Sequence, residues 1–173
     1  RGRRRLRRGL DQGERGRPAA AHGALHRRRP ACGRPRARAG DAWAQVVAGE
    51  DAAVYAYSVA GAQLSSGGRR KALAGLDAHR SNRDRAAAST LSASASPPGS
   101  ATAYELPIPV DSAQSAKALM ALVDNRLVGL YADAAEASSG PDRRWAARTA
   151  AECATRAVTW GSAPQAFPTG TVA

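Results

Sequence analysis

Apolar positions recur at steps of three and four along most of residues 41–160, the spacing that keeps one face of an α-helix apolar. The first seam reads Trp43, Val47, Glu50, Val54, Tyr57, Gly61, Leu64, and it predicts a helix over residues 41–65 with Asp41 as N-cap. Ser65-Ser66-Gly67-Gly68 reads as a tight turn. A second helix is predicted over 69–94, with Leu73, Leu76, Ala87 and Leu91 as its apolar positions and His79, Arg80, Arg83 and Asp84 at its middle. A third is expected over 111–137, opened by an Asp-x-x-Gln capping box from Asp111 to Gln114 and carrying Leu119, Met120, Leu122, Val123, Leu127, Leu130 and Tyr131. Ser138-Ser139-Gly140-Pro141 forms a second turn, and a fourth helix is predicted over 142–160.

Loop lengths turn these elements into a topology. Two short turns make helices one and two, and helices three and four, antiparallel pairs. Between helices two and three lies Ser96-Pro97-Pro98-Gly99 and the run Tyr104-Glu105-Leu106-Pro107-Ile108-Pro109-Val110, whose prolines forbid helix. Extended at about 3.3 Å per residue, such a stretch spans roughly 45 Å, enough to travel the length of the bundle and leave helices two and three parallel; a plain up-down bundle is the alternative, since a long loop need not be fully used. The expected class is therefore all-α: a ferritin-like four-helix bundle with one long crossover between helices two and three.

Composition agrees with helices. Ala and Leu abound, whereas Phe167 is the sole Phe and Ile108 the sole Ile. No run approaches eighteen apolar residues, so no membrane span is expected. Cys32 and Cys153 suggest neither a disulfide framework nor a zinc site, which points to a reducing, cytoplasmic setting.

Charge divides the chain. Residues 1–40 contain fourteen Arg against Asp11 and Glu14 and so carry the entire net charge of +12, while residues 41–173 balance twelve basic against twelve acidic groups. The expected organisation is a disordered Arg-rich arm over 1–40, a bundle over 41–161 and a tail over 162–173. With no apolar stretch behind it, the basic start does not read as a secretory signal. A first residue of Arg1 rather than Met leads us to expect a fragment, a processed form or a mis-assigned start. Its Arg, Gly, Ala and Pro content also matches GC-rich codons, so a solvated or spurious tail is expected ahead of a working nucleic-acid tail. If genuine, the arm would bind polyanions in a salt-sensitive, sequence-independent way.

Three segments in order resemble a known family: Gly49-Glu50-Asp51-Ala52-Ala53-Val54-Tyr55-Ala56-Tyr57, Ala78-His79-Arg80-Ser81-Asn82-Arg83-Asp84 and Tyr104-Glu105-Leu106-Pro107. They are similar to the ferritin-like domain of unknown function from high-GC Gram-positive bacteria, over about residues 42–161. The resemblance implies a four-helix fold and imports no activity. Asp51 stands where that family usually has His, and Val123 where it usually has Glu.

A di-iron site in such a bundle needs a Glu from each of two helices and Glu-x-x-His from the other two. Here Glu50 sits in the first seam and His79 on the second helix, but Leu76 precedes His79 by three residues; the third helix offers Asp124 beside Val123, and on the fourth Thr155 follows Glu152 by three. Six ligands are needed and at most four are present, so the site is degraded. Two arrangements remain: a residual metal site of iron, manganese or zinc at Glu50, His79 and Glu152, or a buried polar cluster of Glu50, His79 and Arg83 that fixes helix register. The second is the expectation, with no cofactor. The leading reading is a non-catalytic structural or interaction module, with homodimerisation as a partner expectation. Metal-binding or redox chemistry at Glu50 and His79, and polyanion binding through residues 1–40, are the alternatives. Tyr55, Tyr57, Trp145 and Trp160 are expected to pack in the core, and Cys153 to act as a small buried hydrophobe.

Overall fold

The computed structural model describes residues 35–165, which form α1 (Pro35–Gly61), α2 (Ser66–Ser92), α3 (Ala113–Ala137) and α4 (Gly140–Thr159), with no strand among the described residues. The arm and the tail after Gln165 lie outside the described residues, apart from the stretch 35–40. That stretch was expected to be part of the arm but is the first turn and a half of α1. Asp41 is consequently an interior, exposed residue and not an N-cap.

Long-range contacts fix the direction of each helix. Gly40 lies against Ala93 and Ala95, while Gly75 lies against Tyr57, so α1 and α2 are antiparallel. Gly49 meets Leu127 and Leu130, and Tyr57 meets Asp124, so α3 also runs antiparallel to α1. Helices α2 and α3 therefore point the same way. Trp43 stacks on Trp145 and Tyr57 meets Trp160 edge-on, which makes α4 parallel to α1. The result is a four-helix bundle of two hairpins joined by one crossover.

That crossover, residues 93–112, travels along α1 from its start to its end. Ala95 packs on Gly40, Ser100 Oγ donates to Asp51 Oδ2 (2.8 Å), Tyr104 leans on Tyr55, and Gln63 donates to the Val110 carbonyl. Leu106, Ile108 and Val110 pack against the core, so the proline-bearing run buries its apolar side chains without needing helical hydrogen bonds.

Both hairpins are closed by the same device. Arg69, in the first turn of α2, donates to the Gly61 and Ala62 carbonyls at the end of α1. Arg143, in the first turn of α4, donates to the Ala135, Glu136 and Ser138 carbonyls at the end of α3. Each guanidinium satisfies orphan carbonyls that the preceding helix cannot bond itself. Gly140 takes φ +57° at the second turn, a left-handed conformation that side chains resist. At the first turn, Gly67 and Gly68 lie inside α2 and not in the loop.

Two details of the helices differ from the sequence pattern. The capping box of α3 is made by Ser112 and Ser115, which bond reciprocally, and not by Asp111 and Gln114; Asp111 instead accepts from Ser115 Oγ. Leu73 and Leu91, expected in the α2 core, are 53% and 63% exposed. The buried face of α2 is built from Ala72, Gly75, Leu76, His79 and Ala86. Small residues let α2 lie close on α1, so close that a Cβ on Gly75 would collide with the Tyr57 ring. Leu73 and Leu91 are displaced to the outer face.

Candidate functional site

The buried centre of the bundle is polar. Glu50, His79 and Asp124 are fully buried, and all three sit in seams that otherwise carry apolar side chains. Helix α1 contributes Glu50 and Tyr57, two turns apart on one face. Helix α2 contributes His79, α3 contributes Asp124 and Tyr131, and α4 contributes Cys153 and Arg156, with Trp160 closing the end.

These groups form two linked hydrogen-bond sets. In the first, Glu50 accepts from His79 Nδ1 (2.7 Å, through Oε2) and from the Tyr131 hydroxyl (2.6 Å, through Oε1). In the second, Asp124 accepts from the Tyr57 hydroxyl (2.5 Å, through Oδ2) and from Arg156 Nε (3.1 Å, through Oδ1), and Tyr57 in turn accepts from Trp160 Nε1 (2.8 Å). The His79 ring joins the sets. Its edge meets Tyr57 with ring centroids 4.6 Å apart, and its Nε2 lies 3.5 Å from Asp124 Oδ1 without making a hydrogen bond. Arg156 also reaches Cys153 Sγ at 3.1 Å.

Burial sets the electrostatics. Desolvation pushes the Asp124 carboxyl above the usual carboxylate range, against the opposing pull of the Arg156 guanidinium, His79 and the Tyr57 hydrogen bond. The Tyr57 and Tyr131 hydroxyls are pushed far up, first by desolvation and then by the carboxylates they serve, so both remain donors at any ordinary pH. The Cys153 thiol is likewise pushed up by burial, which keeps it protonated and poorly nucleophilic.

Glu50 and His79 are thus brought together, whereas the other two sequence candidates are not. Arg83 faces outward, one-third exposed, and binds Asp84 (2.8 Å) and Asp51 (3.4 Å) instead of Glu50. Together with Ser100, which also donates to Asp51, it clamps the crossover to the bundle surface. Glu152 is exposed on α4 and makes no hydrogen bond or ion pair with Glu50 or His79, because the inward position is taken by its neighbour Cys153. The sequence reading counted Asp124 only among the possible metal ligands and left it out of the polar cluster, and it missed Arg156 and the bonding roles of Tyr57, Tyr131 and Trp160. Asp124 carried the same signal as Glu50: it interrupts the apolar line Met120, Asp124, Leu127, Tyr131 on α3.

The donor set does not fit a di-metal centre. The imidazole itself stands between the two carboxylates, one facing each ring nitrogen. The Arg156 guanidinium occupies Asp124 and would repel a divalent cation there. Among the described residues no three His, Cys, Asp or Glu side chains converge in metal-binding geometry. No helix of the described residues is long and apolar enough to cross a membrane.

Comparison with known proteins places this bundle in context. Residues 42–172 match the sequence profile of a domain of unknown function, DUF4439. Among solved structures, the chain is similar to a conserved hypothetical protein from Mycobacterium tuberculosis, with 26% identity and a TM-score of 0.69, over 72% of this chain and 95% of that one. No curated protein shows significant similarity to the chain.

Proposed function

The chain belongs to the DUF4439 family, and within it we propose a ferritin-like bundle whose core hydrogen-bond network stands in place of a di-metal centre, serving as a non-catalytic structural or interaction module. One observation carries this reading: every carboxylate oxygen at the centre has a protein partner. Glu50 is shared by His79 and Tyr131, and Asp124 by Tyr57 and Arg156. Buried charges are tolerated when paired and hydrogen-bonded, and carboxylates paired in this way hold the four helices in register, although His79 Nε2 is left without a hydrogen bond. The chemistry supports the same reading. The Tyr57 and Tyr131 hydroxyls and the Cys153 thiol are held protonated by burial, so none of these three is an activated nucleophile.

Elemental analysis tests this. Protein purified without chelators, then incubated with iron, manganese or zinc and desalted, is expected to retain less than stoichiometric metal. Stoichiometric metal that disappears in His79→Ala would overturn the reading in favour of a metal-binding or redox protein centred on Glu50 and His79.

A further inference from the structure

The end of the bundle where α2 and α3 begin carries two adjoining clefts of about 700 Å³ each, a size suited to a small organic ligand. Ala113, Lys117 and Trp160 line both. The first cleft adds Arg70 and Lys71 from α2, so three cations from two helices converge there, and no Asp or Glu is among the lining residues. Arg80, Arg83 and Arg156 are each neutralised by a carboxylate, whereas Arg70, Lys71 and Lys117 form no ion pair with any described residue. Beyond Lys117 the second cleft combines Ala118, Ala121, Leu122 and the Trp160 ring, whose indole Nε1 is committed inward to Tyr57, with the polar Gln114, Asn125 and Ser162.

We infer that this end of the bundle binds a small organic phosphate. The phosphate group sits in the cleft of Arg70, Lys71 and Lys117, and an apolar or aromatic body lies in the neighbouring cleft against Leu122 and Trp160. Three uncompensated cations match a multiply charged phosphate better than a carboxylate, because each adds a charge-assisted hydrogen bond to the same group. The Leu122 and Trp160 side of the second cleft offers a surface that the body of an organic phosphate covers and inorganic phosphate does not. The inference is independent of the core network and stands or falls without it.

The test is a titration of the full ¹⁵N-labelled chain followed by NMR, with phenyl phosphate, inorganic phosphate and benzoate as probes. Site-resolved signals separate the clefts from the Arg-rich residues 1–40, which attract any anion. Phenyl phosphate is expected to give saturable shifts at the amides of Gly67, Gly68 and Lys117 and at the Trp160 indole N–H, and to bind more tightly than either other probe. The double variant Arg70→Ala/Lys71→Ala and the single variant Lys117→Ala are each expected to weaken it by about tenfold, the worth of one or two charged hydrogen bonds. Arg144→Ala, at the opposite end of the bundle, leaves binding unchanged. The inference is overturned if shifts are confined to residues 1–40 or fail to saturate, or if Arg144→Ala weakens binding as much as Lys117→Ala. Equal affinity for benzoate would overturn the phosphate assignment, and equal affinity for inorganic phosphate would overturn the role of the second cleft.

Discussion

The Tyr57 hydroxyl and the Asp124 carboxylate meet across the α1–α3 interface with 2.5 Å between oxygens, the shortest side-chain hydrogen bond among the described residues. Tyr57 is also the acceptor for Trp160, so one phenol ties three helices together. Tyr57→Phe keeps the ring that packs on His79 but removes the donor to Asp124 and strands the Trp160 N–H. Leaving buried polar groups unpaired costs about 1–3 kcal/mol, and urea denaturation is expected to show a loss in that range.

Asp124 makes stability depend on pH in a defined direction. Its carboxyl is raised in the folded protein relative to the unfolded value of 3.8, so the native state binds the proton more tightly. The stability that this protonation contributes is complete below 3.8 and is lost as pH rises through the folded value. Asp124→Asn mimics the neutral carboxyl and cannot titrate. The stability difference between Asp124→Asn and the parent is therefore expected to move in favour of the Asn variant as pH climbs above 3.8. Denaturation curves collected from pH 3.5 to 7 check this, and a difference that stays flat or moves the other way contradicts it.

Glu50 is the hub of the other half of the network. Glu50→Ala leaves His79 and Tyr131 without their shared acceptor and opens a hole between α1 and α3. Breaking a buried pair from one side costs about 3–5 kcal/mol. Arg83→Ala, by contrast, removes a partly exposed ion pair and is expected to cost less than about 1 kcal/mol. Thermal melting of the two variants side by side separates the core cluster from the surface clamp.

Gly75 is where α2 comes closest to α1. Gly75→Ala gains helix propensity of about 1 kcal/mol but drives a methyl into the Tyr57 ring, and overpacking of this kind costs about 1–3 kcal/mol. A net loss of stability is expected, together with a changed near-ultraviolet signal as Tyr57 and Trp160 shift. A more stable variant with an unchanged signal would show that the helices separate freely at this point.

Much of the fold was legible in the pattern of residues. The periodic seams located four helices to within a few residues at most ends, and the two short turns against one proline-bearing run gave the pairings and the parallel course of α2 and α3. The α1 start was misplaced because Asp41 is a good N-cap by type, yet a helix continues wherever its preceding residues accept helical geometry. Within the site, Glu50 and His79 stood out as polar groups in apolar seams. Arg83 was drawn into the same cluster because it lies one turn after His79, but that position is about 40° further round the helix, enough to turn it towards Asp51 and solvent.

The sequence by itself determined which segments are helical, how they connect, and that polar groups would face inward at Glu50 and His79, because these depend on periodicity and chain length. Only the tertiary structure decided that Asp124 and Arg156 complete the core, that Glu152 is left outside, and that α2 lies so close to α1 that Leu73 and Leu91 turn to solvent. Those outcomes depend on how each helix is rotated and how near its neighbours approach. Local spacing does not encode either quantity, since both are set by the combined shapes of side chains far apart in the chain.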